Sequence, residues 1–108
     1  MDLAAQAVAA AGELGRLWGV VNNAGIGAPG YHGVTDTDLS EWDNVFRVNF
    51  MGTVSFATTT GAALVAQGKG GRIVNVSSIA GLTGLPNIAP YNATKAAMDS
   101  LTRSMAVE

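Results

Sequence analysis

The chain has 108 residues, a formal net charge of −2, 48% hydrophobic residues and no cysteine. That length allows one globular domain with a small core, and the charge balance excludes the basic footprint of a nucleic-acid binder or of a membrane surface held by charge. Disulfides and thiolate metal sites are excluded with the cysteines.

Only 13% of residues are charged, below the ~25% of whole domains, so the sequence reads as interior material short of polar covering. The opening residues, Met1 to Ala5, lack the basic stretch and apolar run of a signal peptide. No uninterrupted apolar run approaches the ~20 residues of a membrane span. A cytoplasmic setting is expected.

Residues 3–14 are alanine-rich, and Leu3, Ala7, Val8, Ala11 and Leu14 recur at helical spacing. The helix should fade near Gly12 and Gly15. Residues 17–21 form a short apolar run whose length favours a strand buried on both faces. Residues 22–33 hold four glycines and Pro29, the composition of a loop. Asp38-Leu39-Ser40-Glu41 has the form of a capping box, with Asp38 as N-cap and Glu41 reaching back. Trp42, Val45, Phe46, Asn49, Phe50 and Val54 continue at helical spacing to about Ala66, and Gly52 and Gly61 within that run allow close approach of a neighbour. After a glycine-rich turn at 68–71, residues 72–77 read as a second strand and 78–89 as a loop. Pro90 suits a first helical turn, where its missing N–H costs nothing, and Ala93, Ala96, Ala97, Leu101 and Met105 carry a helix to the end.

The order is helix, strand, helix, strand, helix, with no hairpin signal. Such alternation predicts an α/β domain with a parallel sheet covered by helices. Residues 1–108 belong to a single domain.

Tyr91 and Lys95 stand four apart, so a helix puts a phenol and an ammonium on one face. A free phenol holds its proton to about pH 10, and a neighbouring positive charge favours the phenolate, which is the basis of a proton-transferring pair. Alone the spacing is a weak signal. Catalytic groups of open parallel sheets gather at the carboxyl ends of the strands. The two strands end at Asn22-Asn23-Ala24-Gly25 and at Ser77-Ser78, and Tyr91 follows the second loop at a helix N-terminus. Each residue also has a bland role: asparagines suit strand ends, Asn49 suits a satisfied buried amide, and Ser77 and Ser78 suit an ordinary loop. His32 is a lone loop histidine, read as surface or substrate-loop filler.

Four ordered elements resemble the short-chain dehydrogenase/reductase family: Asn22 to Gly25, Asn49 within Arg47-Val48-Asn49, Ser78 within Asn75-Val76-Ser77-Ser78, and Tyr91 through Lys95, with Tyr91 thirteen positions after Ser78. That spacing selects Ser78 over Ser77. The resemblance implies a Rossmann-like doubly wound parallel sheet, here in part, with residues 1–108 as its central and catalytic portion. It implies an oxidoreductase that uses NAD or NADP on a small alcohol or ketone. In that role Tyr91 exchanges the proton of the substrate oxygen, Ser78 hydrogen-bonds that oxygen, and Lys95 acidifies the phenol and holds the nicotinamide ribose. Asn49 anchors a relay water through its backbone carbonyl. Asn22, Ala24 and Gly25 pass close to the cofactor, while Asn23 fastens neighbouring strands. No metal is implied, and a homo-oligomer, dimer or tetramer, is. Trp18 stands where many family members carry an acidic residue, which predicts a buried contact there. The family's glycine-rich pyrophosphate turn and first three strands have no counterpart in these residues. Residues 1–108 by themselves are therefore expected to be marginally stable or self-associating, and neither to bind dinucleotide tightly nor to turn over. A second expectation also stays open, a catalytically incompetent piece or interaction module that retains the motif residues.

Overall fold

In a computed structural model that describes residues 2–28 and 30–108, Asp2 opens the first helix, α1 (Leu3–Leu14), by accepting the backbone N–H of Ala5 at 2.8 Å. Met1 of the opening stretch and Pro29 of the 22–33 loop lie outside the described residues. The helix turns a different face inward from the one its periodicity predicts: Ala4 is buried and Val8 and Ala11 are half-buried, whereas Leu3, Ala7 and Leu14 face solvent. An alanine-rich helix is nearly apolar all round, so its pattern scarcely distinguishes the two faces.

Two strands follow, β1 (Gly19–Asn22) and β2 (Arg72–Asn75), parallel and in register from Gly19↔Arg72 to Asn22↔Asn75. The strand starts later than the predicted 17–21 because Leu17 is bracketed by a side chain instead of a strand. The Gln67 amide donates to the Leu17 carbonyl and accepts its N–H, both at 3.0 Å. Trp18 is 63% exposed under the Arg16 guanidinium, 5.2 Å above its ring, so the predicted buried contact is not formed. At the other end β2 stops short of the predicted Ser77. Val76 still donates to the Asn22 carbonyl at 3.0 Å, after which β1 has left the sheet. Gly19 is the point of closest strand approach, since a Cβ there would run into the carbonyl of Arg72.

Helices α2 (Leu39–Phe46) and α3 (Gly52–Gln67) form the predicted long segment, joined by a π-helical turn at Arg47–Met51 in which the Gly52 N–H donates to the Arg47 carbonyl. Asp38 caps α2 by accepting the Ser40 N–H at 2.7 Å. Glu41 does not complete the predicted box; one of its oxygens instead faces the His32 imidazole at 3.9 Å. The segment ends at Gly68, whose left-handed φ of 65° suits a residue without a Cβ. Helix α4 (Ala89–Val107) has Pro90 in its first turn.

Thr53, Ala57, Thr60 and Leu64 form the buried stripe of α3. That helix packs on both strands and on α1, and α4 packs on β2, α2, the π turn and a short 3-10 turn at Ile79–Gly81. The helices thus cover the sheet face of Val20, Asn22, Ile73 and Asn75, leaving Val21 at 64% and Val74 at 50% exposure on the other. Among the described residues six hydrophobic side chains and six polar or charged ones are buried. With so few apolar groups inside, side-chain hydrogen bonds also tie the elements together. One chain of them runs from Asn22 Nδ2 to Asn75 Oδ1 at 2.8 Å, from Asn75 Nδ2 to Thr102 Oγ1 at 2.9 Å, and from that hydroxyl to the Met98 carbonyl at 2.8 Å. It corrects one expectation: Asn22 fastens the strands, while Asn23 is exposed.

Candidate active site

Because the strands are parallel and in register, the residues after β1 and after β2 leave the sheet at the same edge. There the buried Asn49 amide grips the chain after β1. Its Oδ1 accepts the Ile26 N–H at 2.7 Å and its Nδ2 donates to the Ile26 carbonyl at 2.8 Å, a two-point match to the backbone of one residue. The π turn presents this side chain, as the extra residue of such turns often does at functional sites. The Asn49 carbonyl accepts the Thr53 hydroxyl at 2.9 Å, which occupies one of its two lone pairs.

Lys95 lies one turn after Tyr91 on α4 and is 4% exposed. Its ammonium stands 5.5 Å from the centre of the half-buried Tyr91 ring and donates to the Val76 carbonyl at 2.9 Å. Gly25, exposed between Ala24 and Ile26, completes the cluster: a Cβ there would stand 3.4 Å from Asn49 Oδ1 and 3.8 Å from Lys95 Nζ. Four of the expected residues, Gly25, Asn49, Tyr91 and Lys95, therefore share one place.

Among the described residues no hydrogen bond joins Ser78 to that cluster. Ser77 Oγ donates to the Lys95 carbonyl at 3.4 Å, and Ser78 Oγ accepts the Ala80 N–H at 3.1 Å, capping the 79–81 turn that rests on α4. Asn22 faces the helices, bonded to Asn75, and Ala24 is exposed on the turn beside it. Three participants escaped the sequence reading. The Thr53 hydroxyl carries no motif, and Val76, though inside Asn75-Val76-Ser77-Ser78, takes part through a backbone carbonyl that its side chain does not announce. Thr94 lies inside the Tyr91–Lys95 stretch, where a threonine back-bonding to a helix carbonyl is common and draws no notice.

The cluster suits a dinucleotide ribose. An ammonium carries three donors, one of them on Val76, and the residue nearest it on the β1 turn has no side chain to obstruct a ligand. A cleft of about 440 Å³ on another flank of α4 is lined by Trp42, Gly81, Leu82, Asn92 and Ala93. A larger cavity of about 670 Å³ lies between α3 and the end of α4, lined by Leu64, Ile73, Leu101 and Met105, about three to four helical turns from Tyr91.

A family model described as "short chain dehydrogenase" matches residues 1–108. The chain is 41% identical over 107 residues to 2-(S)-hydroxypropyl-CoM dehydrogenase 3 of Xanthobacter autotrophicus, covering 99% of this chain and 41% of that protein. It is 44% identical over 110 residues to a protein of the same organism named "Inactive 2-(S)-hydroxypropyl-CoM dehydrogenase 2", covering 99% of this chain and 46% of that protein. The crystal structure of an NAD+-bound xylitol dehydrogenase superposes with a TM-score of 0.88 at 30% identity, over 96% of this chain and 39% of that one. The chain thus spans less than half the length of these relatives.

Proposed function

The chain belongs to the short-chain dehydrogenase family, and on that premise we propose that the protein carrying it is an NAD- or NADP-dependent oxidoreductase that interconverts a small alcohol and its ketone. The observation that carries this reading is the Lys95 ammonium, buried 5.5 Å from the Tyr91 ring and beside Gly25. Residues 1–108 then form the central, catalytic part of one nucleotide-binding domain, and the NAD+ of the xylitol dehydrogenase structure supports the choice of cofactor class. The nicotinamide, when bound, supplies hydride chemistry; everything else falls to the chain. Tyr91 passes a proton to the ketone oxygen or takes one from the alcohol. Ser78 donates a hydrogen bond to that oxygen. Lys95 holds the ribose hydroxyls and keeps positive charge near the phenol. Asn49 fixes the 22–26 turn against which the cofactor lies and, through its backbone carbonyl, anchors a relay water. Exposed apolar side chains on the long helical segment, Leu39, Met51 and Val65, support assembly as a homodimer or tetramer.

The test is hydride transfer followed by nicotinamide absorbance with short secondary alcohols and ketones. Wild type should turn over, and Tyr91→Phe should lose turnover while still binding cofactor. A Tyr91→Phe protein that keeps most of its rate removes Tyr91 from the chemistry.

A second reading, an interaction module that retains the motif residues without activity, is favoured by the relative named inactive. Size-exclusion chromatography combined with cofactor titration separates the two. Assembly without cofactor binding favours the module, and cofactor binding favours the enzyme.

A further inference from the structure

Thr94 has 0% exposure and a hydroxyl engaged on both sides. Its Oγ1 donates to the Tyr91 carbonyl at 2.8 Å and accepts from Asn49 Nδ2 at 3.4 Å. A threonine hydroxyl has one proton, and with that proton committed to Tyr91 the oxygen can only accept from Asn49. The two N–H groups of the Asn49 amide are likewise divided, one to the Ile26 carbonyl and one to Thr94. Thr53 also back-bonds within its helix, to the Asn49 carbonyl. That is the ordinary behaviour of helical threonines. Thr94 differs because its oxygen in addition receives a side chain from another element, 45 positions away.

We propose that Thr94 is a positioning residue: its hydroxyl joins the Asn49 amide, and with it the turn at 22–26, to the helical turn carrying Tyr91, and so sets where the phenol stands relative to that turn. The proposal rests on the reading that Tyr91 transfers the proton. Without the hydroxyl, Asn49 keeps both bonds to Ile26, so the cofactor side of the site holds its shape. Only the turn carrying the phenol loses this tether, while the Lys95 ammonium stays fastened to the Val76 carbonyl. Rate should therefore suffer and cofactor affinity should not.

Thr94→Val keeps the shape and removes the hydroxyl. In the protein carrying this sequence, its kcat is expected to fall on the order of ten-fold, as sub-ångström misplacement of a reacting group does, with the cofactor dissociation constant unchanged. Thr94→Ser is expected to recover most of the lost rate. Thr94→Ala removes the same hydroxyl without a methyl pressed against Asn49, and gives the same split if the valine variant folds poorly by circular dichroism. A wild-type kcat in either variant lacking the hydroxyl, or a rate that falls only in step with the folded fraction, overturns the proposal. If wild type transfers no hydride, the reading of Tyr91 fails and takes this one with it. An active wild type, an inactive Tyr91→Phe and a fully active Thr94→Val sink the tether alone.

Discussion

Lys95 Nζ donates to the carbonyl of Val76 at 2.9 Å, so the cation on the Tyr91 helix is fastened to the chain where it leaves β2. Burial of an ammonium costs several kcal/mol unless the group is bonded, and this bond, with the nearby tyrosine ring, is what keeps the charge at the sheet edge. Removing the ammonium relieves that burial cost while orphaning one carbonyl. Lys95→Met should therefore unfold at nearly the wild-type denaturant concentration. Its cofactor affinity should fall, because hydrogen bonds from a charged donor are worth ~1.5–3 kcal/mol, or roughly ten- to a hundred-fold in binding. Cofactor titration beside a urea melt reads both quantities; undiminished affinity in Lys95→Met would remove Lys95 from the cofactor site.

Asn49 satisfies both backbone groups of Ile26 from a fully buried position. Asn49→Leu fills similar space and orphans them. Each unsatisfied buried polar group costs ~1–3 kcal/mol. Ile26 is half-buried, so water replaces part of the loss and the total should sit near the lower end, about 2 kcal/mol. Urea unfolding with an unchanged m-value measures it. A loss of only a few tenths would mean that the grip on Ile26 is not structural.

Much of this arrangement was legible in local sequence, and the rest was hidden for identifiable reasons. The cap at Asp38, the left-handed stop at Gly68, Pro90 in a first turn and the shared face of Tyr91 and Lys95 all depend on residues within one helical turn. The π turn at Arg47–Met51 does not, because the amide it presents answers to Ile26, 23 positions earlier. The start of β1 depends on Gln67, 50 positions away, and the Asn22–Asn75 bond on a register no local pattern contains. Glu41 faces His32, nine positions earlier, instead of closing its predicted box. Only the presence of Thr94 could be read; its partner could not.

The Asp38 carboxyl is held below the usual carboxylate range, chiefly by the backbone N–H of Ser40 and then by that residue's side chain. Its folded-state pKa is thus lower than the unfolded value of about 3.9. The resulting stabilisation is complete above that value and is lost as the pH falls through the folded pKa. Asparagine caps as well as aspartate and carries no proton to titrate. The melting temperatures of wild type and Asp38→Asn should therefore run parallel from pH 7 to about pH 5 and converge or cross below about pH 4, where only wild type loses its cap. Parallel curves down to pH 2 would show that ionisation of the Asp38 carboxyl contributes nothing to stability.

The serine loop comes so close to α4 that a single methyl group should disturb it. A Cβ at Gly81 would stand 2.6 Å from Asp99 Oδ2, 2.9 Å from the Lys95 carbonyl carbon and 3.1 Å from the Ala96 nitrogen. The Asp99 carboxylate ends a side chain and can swing aside. The α4 backbone cannot, so Gly81→Ala must lift the 79–81 turn away from the helix. Ser78 caps that turn through the Ala80 N–H and moves with it. Overpacking of this kind costs ~1–3 kcal/mol of stability. Displacing the hydroxyl proposed to bond the substrate oxygen should reduce kcat by roughly ten- to a hundred-fold. Gly84→Ala is the matched control in the same loop, since a Cβ there meets nothing within 4 Å, and its melting temperature should stay at the wild-type value. If Gly81→Ala keeps full turnover, either the position of Ser78 does not depend on this contact or its hydroxyl does not serve the reaction.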